Sequence, residues 1–482
     1  MTANRALRVA ATSARVLTGT IVAAGCVLGV FAGIAAPWPG VEHQPAKVSV
    51  APVPGDSVLV CNGSFRVLGR DSTQADLMIS AGVPRTVIGG SDGDPSSAAL
   101  DMPDLAGGSG ARSLTGQVQD RRAPLIAGSE SLTLSTDDVV GLTASACRAP
   151  QMQTWLVGAD ASTGATDVVV LSNAADVPST VALTVFGAKR SASTQTVPAM
   201  TQIAVPLASI APDETSPVIQ VAAEGAPVRA SLQSSFTQVL RPIGADVQDG
   251  MDQAQRALVI TGVQVTQAAG DGDEGTILRM LAPGADSDVV ITAHRENGGE
   301  PIEYRTSLLK GVPSEISLGD VPVGAYDIEI AADQPVVAAA KQTVADGRSA
   351  DFAWMTPAPE LTSALMFAVP RGPSPKLHLT NPGDAPIEVV ISDDGDERTV
   401  DVAAGESVSV GLRRGSTPVL SPSGPVHASV TMLKKGTGAV VDTGTDTAPP
   451  PTAPPTADES VGMAGWPLWP DAQRQPAIDV YP

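Results

Sequence analysis

Most of the chain alternates between apolar and polar residues. Val181, Leu183 and Val185 are separated by single small or polar residues, as are Tyr326, Ile328 and Ile330, and Val426, Ala428 and Val430. A period of two places every second side chain on one face of a pleated strand, where it can bury against a facing sheet. Between such runs lie turn-forming stretches: NPGDAP, GADSD, DDGDE, PSGP and VPVG. In residues 46–150 the runs VSV, SVLVC, TVIGG and SLTLS predict strands too, around a Gly- and Ser-rich middle expected to be mobile. The pattern predicts a β protein with almost no helix.

One run departs from it. Val16–Ala36 holds 21 residues without a charge. As a helix it would be about 31 Å long, enough to cross a hydrocarbon core. Arg5, Arg8 and Arg15 precede it, which places the N-terminus in the cytoplasm and the remainder outside. A cleaved signal peptide is the alternative. The run exceeds a usual signal core and Pro37 sits awkwardly for cleavage, so the reading taken is an uncleaved anchor. Cys26 lies in a degenerate lipoprotein box, AAGC, but ten more apolar residues follow it, and it reads as an ordinary helix residue.

The β region repeats itself. LSNAADVPSTVAL (Leu171–Leu183) and LTNPGDAPIEVVI (Leu379–Ile391) share Leu, Asn, Asp, Pro and Val in the same slots, and LAPGADSDVVI (Leu281–Ile291) is a looser copy. Each is followed by an alternating run and then by a Pro-Val pair at Pro227, Pro335 and Pro425. The Leu anchors step by 110 and 98 residues, the Pro anchors by 108 and 90. A unit near one hundred residues is too large for a solenoid repeat and matches an immunoglobulin-like sandwich. In each corner the Asn can hydrogen-bond the turning backbone, while Pro178 and Pro386 keep the next strand's first residue off the ladder. Pro283 stands where the other copies have Asn, so the second corner is expected to turn differently.

Length and charge narrow the picture. A chain of 482 residues exceeds one core and suggests three or four domains. A net charge of −21 repels phosphates, and with no basic stripe nucleic-acid binding is set aside. Cys61 and Cys147 lie beyond the anchor, in an oxidising compartment, and are expected to form a structural disulfide. The 86-residue separation predicts about 4–5 kcal/mol of stabilisation from chain entropy.

Chemistry is scarce. His43, His294, His378 and His427 are isolated; His378 and His427 could face one another, but no carboxylate partner is evident in sequence. No serine elbow, metalloprotease helix, P-loop or dinucleotide fingerprint occurs, and no catalytic, cofactor-binding or metal-binding residue is assigned. SDGDP around Asp92, DGDEG (Asp271–Gly275) and DDGDE (Asp393–Glu397) lack a full calcium-loop series and read as exposed acidic turns. Sugar platforms need exposed aromatic faces. With Trp38 beside the anchor and Trp466 and Trp469 on the tail, only Trp155 and Trp354 remain for three sandwiches. The Thr/Pro/Ala tract after Lys435 cannot bury a core and reads as disordered, with Thr447, Thr452 and Thr456 as candidate O-glycosylation sites. Beyond it, Trp466 and Trp469 are candidate partner contacts that could also dock back onto a sandwich or lie at the membrane interface.

CRAPQMQTWLVGADASTG from Cys147 and the Leu-x-Asn corners, together covering residues 55–435, resemble an uncharacterised actinobacterial family. The resemblance implies a large secreted or membrane-anchored protein with a domain of unknown function, often encoded near envelope glycosyltransferases; it supplies no catalytic residue. The resulting expectation is an all-β chain behind a single transmembrane helix. Residues 1–15 are cytoplasmic and 16–36 the anchor; 37–150 form a disulfide-tied β region; 151–250, 256–355 and 360–435 are tandem sandwiches; 436–482 are a disordered tail. The expected function is non-enzymatic: a structural or interaction protein of the envelope, accessory to glycan assembly, with a protein or glycan partner. A wall-glycan-binding module is the alternative.

Overall fold

The computed structural model describes residues 3–35, 48–50, 54–69, 77–267, 275–296, 298–319, 321–346, 349–436, 460–470 and 478–480. They belong to two units. In the first, an α-helix spans Ala3–Ala35 and a short strand Val48–Val50 pairs antiparallel with Ile478–Val480. Within that helix Val16–Ile34 is long and apolar enough to span a membrane or to serve as a signal sequence. Trp38 and the proposed glycosylation threonines lie outside the described residues.

The second unit, residues 53–475, is all β, and in it the sequence echo is an echo of structure. Leu171 and Leu379 are both fully buried, in strands Ala165–Asn173 and Lys376–Thr380. After each, one Asn holds the corner. The Asn173 side-chain amide donates to the carbonyls of Val177, Val197 and Pro198, and its oxygen accepts the Ala175 N–H at 3.0 Å. Asn381 does the same with Ala385, Val402 and Ala403, and accepts from Gly383 at 3.0 Å. Each Asn therefore satisfies carbonyls that two converging strand ends would otherwise bury unpaired. The second copy turns without it: Ala282 bridges Lys310, whose N–H is accepted by Asp286.

Strand order repeats with the corner. In the first module one sheet runs Gln153–Leu156, Val218–Gly225, Ser179–Phe186, Ser191–Val197; the other runs Thr201–Pro206, Ala165–Asn173, Arg229–Gln238, Arg241–Asp249. The third module repeats both orders, with Leu365–Met366, Val419–Pro422, Ile387–Asp393, Asp396–Val402 and with Ser407–Gly411, Lys376–Thr380, Val426–Lys434, Gly462–Pro467. In the second module one 23-residue strand, Gly324–Asp346, serves both sheets. Its front half pairs with Gln255–Val265 and Ser287–Arg295, its rear half with Ile277–Leu281 and Ser349–Met355. Apolar clusters rich in Val, Leu and Ile fill these modules; that of the second continues through Trp155, Val157 and Phe186 of the first, and that of the third takes in Leu142 and Ala144.

Two findings depart from the sequence reading. Residues 57–146 form an abbreviated fourth copy: Ser57–Cys61, Arg112–Gly116, Ser96–Ala99 in one sheet and Arg85–Gly90, Ile126–Ser135, Val140–Ala146 in the other. Its Gly/Ser-rich middle is thus partly strand, because Ser96–Ala99 pairs with Arg112–Gly116. The tail assigned to 436–482 as disordered contains strand Gly462–Pro467, which pairs with Val426–Lys434 and completes the third module. GMAGWP lacks alternation because that strand is buried on both faces.

The modules do not form an extended arm. The last strand of each (Val140–Ala146, Arg241–Asp249, Ser349–Met355, Gly462–Pro467) packs beside that of the next, and the fourth packs beside the first. The four copies close into a ring around these strands.

Candidate functional site at the ring closure

At the ring axis lies Asp351, 1% exposed. Its carboxylate accepts backbone N–H groups from the last strands of the other three modules: Leu142 at 2.8 Å, Met463 at 2.9 Å and Ala245 at 3.1 Å. Side chains give way to admit it. A Cβ on Gly141 would lie 2.6 Å from Asp351 Oδ1, and one on Gly244 would lie 2.9 Å from the same atom. Burial pushes the Asp351 carboxyl well above its usual range, against the pull of these hydrogen bonds.

Three of the four joints around the axis are sealed by buried polar groups. Between the abbreviated copy and the first module, Arg229 pairs with Asp249 at 2.8 Å and donates to Val60 and Ala146 carbonyls. Beside it Arg66 donates to Gln202 at 2.6 Å, with its pKa lowered to about 10 by burial. Between the first and second, Arg279 pairs with Glu315 at 2.7 Å and donates to the Val157 and Ala159 carbonyls. Between the second and third, His378 stands between Glu296 (3.4 Å) and the Thr431 hydroxyl (2.8 Å). That series has the residue order of a nucleophile, a base and an orienting acid. Its members sit in the packed joint, where a Cβ on Gly262 would lie 2.7 Å from the imidazole, and the arrangement clasps two modules. His427 turns away to the Ala358 carbonyl, so the two histidines are not a pair.

The fourth joint, where the chain's end meets its beginning, packs Leu142 and Ala144 into the third module's core and donates the Ser131 hydroxyl to the Arg371 carbonyl at 2.9 Å, but it is not filled throughout. A cavity of about 290 Å³ lies there, walled by residues 57–59, 125–128, 146–149 and 365–368 and by Trp466–Pro470, with Gln151 and Asp252 completing the lining. Cys147, bonded to Cys61 with a Cα separation of 4.3 Å, sits in its wall. The disulfide ties the first and last strands of the abbreviated copy on the side that receives the ring's end. Trp466 is core, 2% exposed, and touches the cavity only from within the third module; as a surface contact it is corrected. Trp469 is half-buried, with the Arg148 guanidinium stacked 3.6 Å from its ring centroid. Arg148 also donates to Gly250 at 2.6 Å and pairs with Asp252 at 3.0 Å. The Trp469 indole N–H is buried and has no acceptor among the described residues.

Sequence reasoning brings Cys147 and Trp469 to this site but misses Arg148, Asp252, Asp351 and Glu296. Their partners lie up to 209 residues away in the chain, and nothing local marks them. Of the acidic turns, Asp393 and Asp394 are paired with Arg413 at 2.9 and 3.5 Å, while most of DGDEG lies outside the described residues. No cluster of three or more potential metal ligands occurs among the described residues.

No curated protein matches the chain. A family of unknown function, DUF5719, matches residues 104–413. That span takes in half of the abbreviated copy, two complete modules and most of the third, and the chain belongs to this family.

Proposed function

We propose that this chain is a non-catalytic, membrane-anchored, extracytoplasmic structural or interaction protein of the actinobacterial cell envelope, accessory to envelope glycan assembly, and that its repeated modules are immunoglobulin-like sandwiches in tandem. The disulfide supports an oxidising compartment, and the apolar helix supports the anchor. One observation carries the contact site: a cavity of about 290 Å³ lies where the chain's end meets its beginning, with half-buried Trp469 and the Arg148–Asp252 pair in its wall. Photo-crosslinking from position 470 in native membranes tests this. Capture of a discrete neighbour that disappears in Trp469→Ala supports the reading; no capture from this position, with capture from a control position elsewhere on the module ring, refutes it.

A second reading, binding of wall glycan in the same cavity, rests on Trp469, Asp252 and Gln151, residue types that hold sugar rings. Against it, Arg148 already occupies a face of the Trp469 ring. Glycan-array binding by the purified chain, abolished by Trp469→Ala, would favour this second reading over the first.

A further inference from the structure

The hairpin joining Arg229–Gln238 to Arg241–Asp249 turns on Val239 and Leu240. These are the most exposed large apolar residues in the described chain, at 92% and 90%. Val239 adopts φ +60°, a backbone state that β-branched residues rarely take and that two-residue hairpins normally assign to Gly or Asn. Local folding would favour a polar or glycine turn here, so the apolar pair is kept at a conformational cost and against water. Such a knob calls for a hole.

The hole is on the same molecule but out of reach. Strand Arg241–Asp249 starts at the knob and ends just before Asp252, which lines the ring-closure cavity. Nine residues of strand separate the two by about 30 Å. One chain cannot fill its own cavity with this tip, but a second copy can. The cavity's size, at the low end of the range for small-ligand pockets, suits two aliphatic side chains, and Leu365, Met366, Phe367 and Leu468 line it. Exposed Arg241 flanks the knob, and at the cavity stands Asp252, paired with Arg148 through one oxygen and with its side chain 37% exposed, so that a second cation can still approach it.

We propose that copies of this chain assemble head to tail, the Val239–Leu240 tip of one seated in the ring-closure cavity of the next. Knob and hole are different surfaces, so the contact is heterologous and propagates into a stack or closes into a larger ring, depending on the rotation per step. This inference rests on the cavity being a contact site and names its occupant.

The test uses the full chain in detergent with Cys26→Ser, so that Cys61 and Cys147 are paired and no other thiol remains. One preparation carries Leu240→Cys and a second carries Pro470→Cys. The expected result is a disulfide-linked pair in the mixture and not in either preparation alone. Leu240→Asp is expected to raise the concentration for half-assembly by about tenfold or more in sedimentation. Linked dimers from Leu240→Cys alone would mean tip-to-tip contact and overturn the proposal. So would the absence of a mixed pair together with an unchanged size distribution for Leu240→Asp, including the case in which that variant only loses binding to phospholipid vesicles. If the position-470 crosslink in membranes captures a different protein while the mixed pair fails, the contact site stands and self-assembly falls.

Discussion

Asp351 is the residue on which most of the second unit converges. Three other modules each give it one backbone N–H, and every donor is buried where water cannot replace a lost acceptor. Leaving a buried donor unpaired costs about 1–3 kcal/mol. Asp351→Ala is therefore expected to lose at least about 3 kcal/mol, read from urea unfolding monitored by tryptophan fluorescence. A second carboxyl reports on pH. Burial raises the Asp246 pKa from 3.8 to about 7, opposed by the Trp354 and Val247 N–H groups it accepts. Because the folded value lies above the unfolded one, the folded state holds the extra proton, and this contribution is full below pH 4 and fades as pH rises through about 7. Asp246→Asn keeps an acceptor for those donors and cannot ionise. Its stability relative to the unaltered chain should therefore rise between about pH 4 and pH 7 in parallel urea titrations; a constant difference would contradict the assignment.

At the scale of elements, the strand most easily overlooked in sequence carries much of the closure. Gly462–Pro467 completes the third module's sheet and lies beside both Val140–Ala146 and Ser349–Met355. Trp466 fills the third core from this strand, so Trp466→Ala should cost about 3–5 kcal/mol. Three residues on, half-exposed Trp469 should tolerate Ala with a much smaller loss; equal losses in thermal melts would show that the strand is not docked as described. Reducing Cys61–Cys147 should cost about 2–5 kcal/mol and lower the melting midpoint, with no effect in a double Cys→Ala variant. What sequence made legible at this scale follows from periodicity. Alternating strands and the Asn173 and Asn381 corners are local patterns, and each was readable with its chemistry. Strands buried on both faces, such as Gly462–Pro467, have no alternation to read. The abbreviated copy escaped because it has neither the Leu-x-Asn corner of the first and third copies nor the looser Leu-anchored form of the second.

For the whole molecule, sequence spacing reported three of the four modules in their order but not the angle between them. That angle is set by side chains far apart in the chain: Arg229 reaching Val60, Arg279 reaching Val157, Thr261 meeting Thr380 at 2.5 Å. These contacts turn a presumed row into a closed cycle, and closure is what creates the cavity, since the last joint must accommodate a chain end. The apolar helix and the strand pair of Val48–Val50 with Ile478–Val480 belong to a unit of their own. Small-angle X-ray scattering from residues 53–475 tests the closed cycle most directly. Four modules closed on one another predict a radius of gyration near that of a globular protein of this length, about 22 Å. A value about twice that or more, as four modules end to end would give, would contradict the closed ring.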